Sequence, residues 1–570
     1  MKSKGIFIVL ILAVILRLSF LGLIPAGFTP DEASQGYTAY SLLQTGQDEW
    51  GISWPLTSFR SFVDYKAPLQ TYLMIPSIAI FGLNSFAVRL PSALFGILAV
   101  LAVYLLTKEL FGNKKIRLGK FSFSLPLLAA FILTISPWHF QFSRTALEVN
   151  LSSFLIPFGL YLFLKGIKKK KACLFIWTAL LWGINMYSYH AAKMFIPIFA
   201  LVTLFIYRSQ LLKFNLKKFT PAVLVFLFFF IPAYTSTLFG DAGARGGDLL
   251  ISNLSLQQLE EISDSQYLSP LNQIHPQLPR VFHNKAWFIL DRFVENYASY
   301  FTLSFWFTEG GQEITYSVIP GRGLLFLWQF PFILLAVYSL LDFKKKKNRN
   351  RFFVLLAWAL ISAIPAALTK ESYRPNRAGS FAVLWEMLTA VGLVYFFQLI
   401  PKKIKSWFTP IFLAFVSLCF VFYIEDYALA APIKFPSSLS YGYQELMGKL
   451  DQYDDDHNII IERGSQSQSY VAFYKQLDPL VFQSYSKDWW SRFKDLDLLY
   501  LDMMDDYSLL NYRFKTVSLP ADLEAENLII VIPTEKLSNK QMREDYLPQV
   551  IDQVDYPDRT PAFYLLESYD

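Results

Sequence analysis

Blocks of lysine and arginine recur along this chain after every second apolar run, while the loops between those blocks largely lack them. In order they are Lys2 with Lys4, Lys114 to Lys120, Lys165 to Lys171, Arg208 to Lys218, Lys344 to Arg351 and Lys402 to Lys405. Alternation of this kind is the positive-inside pattern of a multi-pass membrane protein, and it sets topology before any motif is read. The blocks mark the cytoplasmic side. Loops on the opposite side, among them the one carrying the acidic pair Asp31-Glu32, face outward.

Composition agrees, since 54% hydrophobic and 17% aromatic residues make a chain of 570 residues too apolar to be soluble. The net charge of +7 resides mainly in the basic blocks, where topology and anionic lipid headgroups account for it without nucleic acid as a partner. Cys173 opens one apolar run and Cys419 lies inside another, so neither is placed to form a disulfide outside.

Stretches long enough to cross a bilayer run over about 6–24, 88–111, 122–137, 149–164, 172–188, 194–207, 220–236, 321–341, 352–368, 379–400 and 407–424. These spans, about eleven, predict a polytopic α-helical protein of the cell membrane with its N-terminus cytoplasmic and its C-terminus extracytoplasmic. The first run has the preceding lysines of a secretory signal, but its length and Arg17 favour an uncleaved helix. Pro68 to Leu83 is too short to cross comfortably and reads as an interfacial or re-entrant helix. Ala286 to Phe307, interrupted by Asp291, Arg292 and Glu295, reads as lying in the outer interface. From about Pro432 the chain turns polar and acidic, which predicts a soluble α/β domain over 432–570, outside, after a transmembrane domain over 1–431. Its β-like runs are Asn458 to Ile461, Leu496 to Leu501 and Leu528 to Ile532, and Gln444 to Gln452 is helix-like.

Polar residues that membrane physics would otherwise exclude are the place to look for chemistry. The first outer loop opens with Thr29-Pro30-Asp31-Glu32. Two readings are open there: a general base or metal ligand near the bilayer surface, or an ordinary start of a helix at Glu32 capped by Asp31. The loop closes with Asp64-Tyr65-Lys66-Ala67-Pro68-Leu69, whose lysine either snorkels to lipid phosphates or holds the phosphate of a lipid substrate. Other outer polar groups are His139, Arg144 and Glu148, then His190 and Lys193, then Arg374 and Arg377.

Carboxylates and several cations at one depth suit a particular reaction. A sugar carried on a polyprenyl phosphate needs fixed cations for its departing phosphate and a carboxylate to take a proton from the acceptor. A single base opposite the leaving group inverts the anomeric carbon. Asp31 is the candidate base, with Lys66, Arg374 and Arg377 as candidate phosphate clamps. His139, Arg144, His190 and Lys193 are candidate substrate-binding groups. The five histidines have no metal-ligand spacing, so no metal site is assigned, although a loosely held divalent cation near Asp31 stays open. Gly243-Ala244-Arg245-Gly246-Gly247 suggests a mobile outer loop, a lid at most.

The chain resembles the membrane-embedded glycosyltransferases of the GT-C fold, especially a bacterial branch similar to protein O-mannosyltransferases and aminoarabinose transferases. The resemblance is carried by Thr29-Pro30-Asp31-Glu32, Tyr65-Lys66-Ala67-Pro68-Leu69, Phe86-Ala87-Val88-Arg89-Leu90-Pro91-Ser92-Ala93-Leu94-Phe95-Gly96 and Ser136-Pro137-Trp138-His139 leading to Arg144 and Glu148. Gly321-Arg322-Gly323-Leu324-Leu325 and Ser372-Tyr373-Arg374 add to it. It implies Asp31 as catalytic base with Glu32 beside it, Lys66 at the donor phosphate, and Glu148 as a second acidic position that orients the acceptor or supports a metal. Lys193, Arg374 and Arg377 match only as basic residues in similar loops. The implied function is transfer of a sugar from a polyprenyl-phosphate donor to a protein, lipid or glycan acceptor outside, with inversion. The rivals are a polymerase or ligase of lipid-linked glycans, a non-catalytic scaffold, and a lipid or sugar transporter, for which paired interrupted helices and internal symmetry are missing from the sequence. The residues specify neither the sugar nor an oligomeric state.

Overall fold

Every one of the eleven apolar stretches carries a helix in the computed structural model, which describes residues 4–62, 64–118, 121–240, 247, 249–311, 319–341, 346–381, 383–454, 456–464, 466–496, 498, 500–537, 542 and 545–569. The first half contains α1 (Lys4–Leu18), α2 (Pro30–Thr45), α3 (Pro68–Phe81), α4 (Ser85–Phe111), α5 (Leu125–Thr134), α6 (Pro137–Phe142), α7 (Ser152–Lys169), α8 (Cys173–Asn185), α9 (His190–Leu211) and α10 (Thr220–Phe239). After α11 (Lys285–Ser299) come α12 (Gln329–Leu340), α13 (Lys346–Ala367), α14 (Leu384–Leu399) and α15 (Lys402–Glu425). Among the described residues seven helical segments are long and apolar enough to cross a membrane, and α3, α5, α8 and α12 are shorter apolar helices.

Two hairpins interrupt the helices. The first pairs β1 (Phe59–Arg60) with β2 (Tyr65–Lys66), and the second pairs β3 (Lys115–Leu118) with β4 (Phe121–Ser124) inside a basic block. The helix ends next to the basic blocks gather at one end of the bundle. Lys168 Nζ lies 2.7 Å from Glu109 Oε1, the Arg351 guanidinium sits 5.7 Å from the Phe111 ring, and Asn350 Nδ2 donates to the Ile206 carbonyl at 3.4 Å.

Two stretches depart from the sequence reading and a third falls outside the described residues. The span expected over 122–137 breaks at Ser136, because Pro137 cannot continue α5 and instead opens α6. The run Leu496 to Leu501 is not a strand among its described residues, for Leu496 closes a helix and Leu501 begins a 3-10 turn. The glycine-rich stretch Gly243 to Gly247 lies, apart from Gly247, outside the described residues. In the expected interfacial stretch, α11 is amphipathic, with Trp287, Leu290 and Val294 exposed along one face.

The C-terminal part is built on β5 (Asn458–Glu462), β6 (Asp506–Leu509), β7 (Tyr512–Lys515), β8 (Leu528–Pro533), β9 (Val550–Asp555) and β10 (Pro561–Glu567). They form one six-stranded sheet in the order β6-β7-β5-β8-β10-β9. The central β5 pairs in parallel with β7 and β8, and the outer pairings are antiparallel. Both faces of β5 are covered: Ile459 and Ile461 join one buried cluster and Ile460 another, which is why the strand reads as an unbroken apolar run. Helices α16 (Tyr443–Leu450), α17 (Ser467–Tyr474) and α18 (Pro479–Leu496) complete this part. The Ile459 cluster continues through Phe473 and Phe482 into Ala33 and Tyr37 of α2 and Met74 of α3. At the contact Gly36 has no room for a side chain, since a Cβ there would meet Val88 at 2.7 Å and Phe473 at 2.9 Å.

Three buried arginines stitch the Asp31 end together. Arg17 donates to the Leu133 and Thr134 carbonyls at the end of α5, and Arg144 donates to the Leu16, Ser19 and Ile24 carbonyls at the end of α1 and in the loop after it. Arg89, on α4, meets Glu32 of α2 in a two-pronged pair, Nε to Oε1 at 2.8 Å and Nη2 to Oε2 at 3.2 Å. Its remaining donors reach the Leu21, Pro25 and Gly27 carbonyls of the connecting loop. Removal of one partner strands a buried charge, so Arg89→Ala is expected to lower stability by about 3–5 kcal/mol. Thermal unfolding in detergent measures this. Arg89→Met combined with Glu32→Leu should lose much less than the sum of the two single changes, and an additive result would show the pair to be unimportant.

A second buried acidic pair, Asp48-Glu49, lies in the loop after α2, where its backbone carbonyls accept from Gln483 and Ser486 of α18. Burial pushes the Asp48 carboxyl up to about 6, and burial with the neighbouring Asp48 raises Glu49 well above the usual carboxylate range. The folded chain therefore keeps protons that the unfolded chain, with Asp48 titrating at 3.8, has released. The resulting stability is complete below about pH 4 and is lost as pH rises through about 6 for Asp48 and higher for Glu49. Asp48→Asn, which retains an acceptor for the Trp50 and Ile52 amides, should gain on the wild type by roughly 2–3 kcal/mol between pH 4 and pH 8. Parallel melting curves for the two proteins across that range would contradict the assignment.

Candidate active site

The loop–helix junction at Thr29-Pro30-Asp31-Glu32 is a capping box. The Glu32 amide donates to Thr29 Oγ1 at 3.2 Å, the Thr29 amide donates to Glu32 Oε2 at 3.1 Å, and Pro30 takes the first helical position. The cap is thus Thr29 and the helix starts at Pro30, which corrects the reading of Asp31 as the cap. Both Glu32 oxygens are engaged, Oε1 also accepting from the Ala146 amide at 3.1 Å. Asp31 is left in the first turn with its carboxylate free of capping, near the positive end of the α2 dipole.

The β1–β2 hairpin carries Lys66 to the same place. Phe59 pairs with Lys66 and Arg60 with Tyr65, and the Tyr65 carbonyl is 2.7 Å from His190 Nε2. Lys66 Nζ is 2.8 Å from Asp31 Oδ1 and 3.2 Å from Asp64 Oδ2. The lysine side chain is 9% exposed and that of Asp31 24%. Lys66 is therefore held among carboxylates rather than extended to a lipid surface, while Asp31 keeps access to solvent. Gln466 Nε2, from the C-terminal part, donates to the same Asp31 oxygen at 3.1 Å.

Asp31 and Lys66 face a cavity of about 110 Å³ whose wall also includes Glu148, Tyr189, Asn376 and Arg377. Glu148 is buried at the start of a 3-10 turn. Arg377 is oriented by Thr369, to whose Oγ1 it donates at 2.9 Å, and by Glu371 at 3.4 Å. With Glu32 also in the wall, one small space brings together three carboxylates and two cations from four separate stretches of chain. A group with an anionic and a hydroxylic part fits such a wall, because each part meets an opposite charge or a proton acceptor there.

The other expected residues are elsewhere. His139 is buried between Arg17 Nη2, 2.8 Å from its Nδ1, and Ser153 Oγ, 3.4 Å from its Nε2, so it ties helices together and does not line the cavity. Arg144 serves the end of α1, as described, and is likewise buried away from it. Lys193 donates to Thr237 of α10 at 3.1 Å, outside the cavity wall. Arg374 pairs with Glu371 at 2.9 Å without lining the cavity, and His190 acts through the Tyr65 carbonyl. His139, Arg144 and Lys193, expected at the substrate, thus lie outside the wall of this cavity. Among the described residues no group of three or more His, Cys, Asp or Glu side chains is arranged to hold a metal ion, and the cation beside Asp31 Oδ1 is the Lys66 ammonium.

Two residues important to this geometry were missed. Arg89 had a signal, a charge just inside an apolar span, which membrane energetics makes expensive unless it is paired. Gln466 had none, since an amide in a polar segment looks like any other.

Residues 65–235 match the family model described as dolichyl-phosphate-mannose-protein mannosyltransferase. A putative mannosyltransferase of Bacillus subtilis (strain 168), YkcB, is 28% identical over 172 residues, 30% of this chain and 22% of that protein. The chain therefore matches only about a fifth of that relative's length. Among solved structures, ArnT from Cupriavidus metallidurans superimposes with a TM-score of 0.54 when bound to undecaprenyl phosphate and 0.52 in the apo state. Each comparison covers 99% of this chain and 98% of ArnT at 11% identity. A likeness over nearly the whole of both chains, with the helix order and the C-terminal sheet, gives this multi-span membrane protein the GT-C fold.

Proposed function

We propose that the chain is a membrane glycosyltransferase that takes a sugar from a polyprenyl-phosphate donor and passes it, with inversion, to a hydroxyl or amine of an acceptor on the outer face. The observation that carries this reading is the contact of Asp31 with Lys66 on the wall of a cavity that also holds Arg377 and Glu148. The acceptor oxygen or nitrogen attacks the anomeric carbon, the bond from that carbon to the phosphate oxygen breaks, and the phosphate leaves with the electron pair. Asp31 receives the acceptor proton, and Lys66 and Arg377 face the charge that grows on the phosphate. Glu148 is placed to orient the acceptor, and Glu32 keeps α2 in position through Arg89. Similarity to ArnT, whose structure contains undecaprenyl phosphate, supports a lipid phosphate as the leaving group. The distribution of basic blocks at the opposite end of the bundle supports the outward orientation of the cavity and of the C-terminal part.

A donor phosphate also competes with Asp31 for the Lys66 ammonium. When Lys66 turns to the phosphate, Asp31 loses its closest cation and becomes the better proton acceptor, so donor binding prepares the base.

Transfer of label from a panel of radiolabelled polyprenyl-phosphate sugars into lipid and protein fractions tests the proposal. Asp31→Asn is expected to reduce transfer by at least about 10²-fold while donor binding persists. Lys66→Ala should weaken capture of undecaprenyl phosphate by about ten-fold or more. Normal turnover in the Asp31 variant removes the base, and absence of Asp31-dependent transfer from every donor directs attention to a ligase of larger lipid-linked glycans. Orientation is checked by cysteine labelling after replacement of Cys173 and Cys419: a cysteine at Glu524 should react in intact cells and one at Lys169 only after permeabilisation.

A further inference from the structure

The C-terminal sheet domain contributes a side chain that reaches Asp31 from behind the cavity wall, and that side chain is held unusually tightly. Gln466 is 1% exposed and sits before α17 with φ 55° and ψ 35°, a left-handed conformation that disfavours any residue with a Cβ. Both ends of its amide are used. Nε2 donates to Asp31 Oδ1 at 3.1 Å, and Oε1 accepts from Ser61 Oγ at 3.2 Å. Ser61 belongs to the turn between β1 and β2, where its amide donates to the Asp64 carbonyl at 2.7 Å. One glutamine thus bridges the helix bearing Asp31 and the hairpin bearing Lys66.

The surroundings leave Gln466 little freedom. Tyr470 Oη, one turn further along α17, donates to the Phe28 carbonyl at 2.8 Å, and the Phe28 and Phe473 rings lie 4.7 Å apart. Tyr37 Oη of α2 donates to the Leu477 carbonyl at 3.0 Å. These contacts fasten α17 to the loop before α2 and to α2 itself, so the position of Gln466 relative to Asp31 is set by domain docking.

We infer that Gln466 is a positioning residue for Asp31, and that Asp31 is fully oriented on the cavity wall only with the C-terminal domain docked. The inference rests on the reading of Asp31 as the base. Both hydrogen bonds described for Asp31 end on Oδ1, from Lys66 and from Gln466, which directs the second oxygen to the acceptor. A neutral amide suits this task, because it fixes the carboxylate without adding a second cation that would weaken it as a base. The charged groups facing Asp31 from the elements packed around it are Lys66 and Asp64 from the hairpin, the Glu32–Arg89 pair, Glu148 and Arg377.

Two variants separate positioning from simple structural support. Gln466→Gly relieves the left-handed backbone while removing the amide, so its thermal midpoint should hold or rise as kcat falls by about ten-fold with KM for the donor little changed. Gln466→Glu sets a carboxylate against Asp31, so the acid limb of its pH–rate profile should move up by about one pH unit. Transfer is measured with the labelled donor that Asp31-dependent activity identifies, and undecaprenyl phosphate binding serves as the control for an intact cavity. Unchanged kcat in the glycine variant together with an unmoved acid limb, in a protein inactivated by Asp31→Asn, overturns the role of Gln466. Full activity in Asp31→Asn overturns the reading of the base instead.

Discussion

The pair between Arg89 and Glu32 is the interaction on which the rest of the site depends. A guanidinium at the entry of an apolar helix is tolerable only when its donors are satisfied, and here they are taken by a carboxylate and three loop carbonyls. Glu32 in turn closes the capping box of α2 and accepts the Ala146 amide. The start of α2 is thereby fixed against α4 and against the stretch that leads to Glu148. Asp31, the adjacent residue, inherits its position from this network and needs no part of it for its own chemistry.

That division between neighbouring carboxylates follows from burial. Glu32 is enclosed with a fixed cation, so its charge is spent on structure, whereas Asp31 retains solvent access beside a lysine. The two residues are neighbours in the sequence, and the helix geometry, which turns consecutive side chains about 100° apart, gives them different surroundings. The same reasoning separates Lys66 from Lys193. One ammonium lies between two carboxylates on the cavity wall, and the other is engaged by a hydroxyl between helices.

Much of the architecture was legible because membrane physics leaves strong marks. Each of the eleven apolar stretches marked out between the basic blocks carries a helix, and Thr29 with Glu32 three positions on is a capping signal readable in sequence. The strands β5 and β8 were also visible as apolar runs, whereas β6 and β7, four residues each, are too short for their alternation to stand out, and the edge strand β9 is largely polar. Among the proposed site residues, Asp31, Lys66, Glu148 and Arg377 are brought to one cavity. His139 and Arg144 are not, because buried polar residues near helix ends serve both chemistry and the pairing of backbone carbonyls, and sequence alone does not tell these uses apart.

The attachment of the sheet domain changes how the membrane part should be viewed. Its buried cluster is continuous with α2 and α3, and the helix that enters this contact carries a glycine where any Cβ would collide with both Val88 and Phe473. Close packing of this kind has few intermediate arrangements, so α2 is either seated between α4 and α17 or displaced from both. Because Asp31 lies in the first turn of α2 and Lys66 on the hairpin that Ser61 joins to Gln466, displacement would separate Asp31 from Lys66 and both from the cavity wall. The domain therefore acts on the cavity through geometry: it supplies the side of the mould against which the helix bearing Asp31 is set.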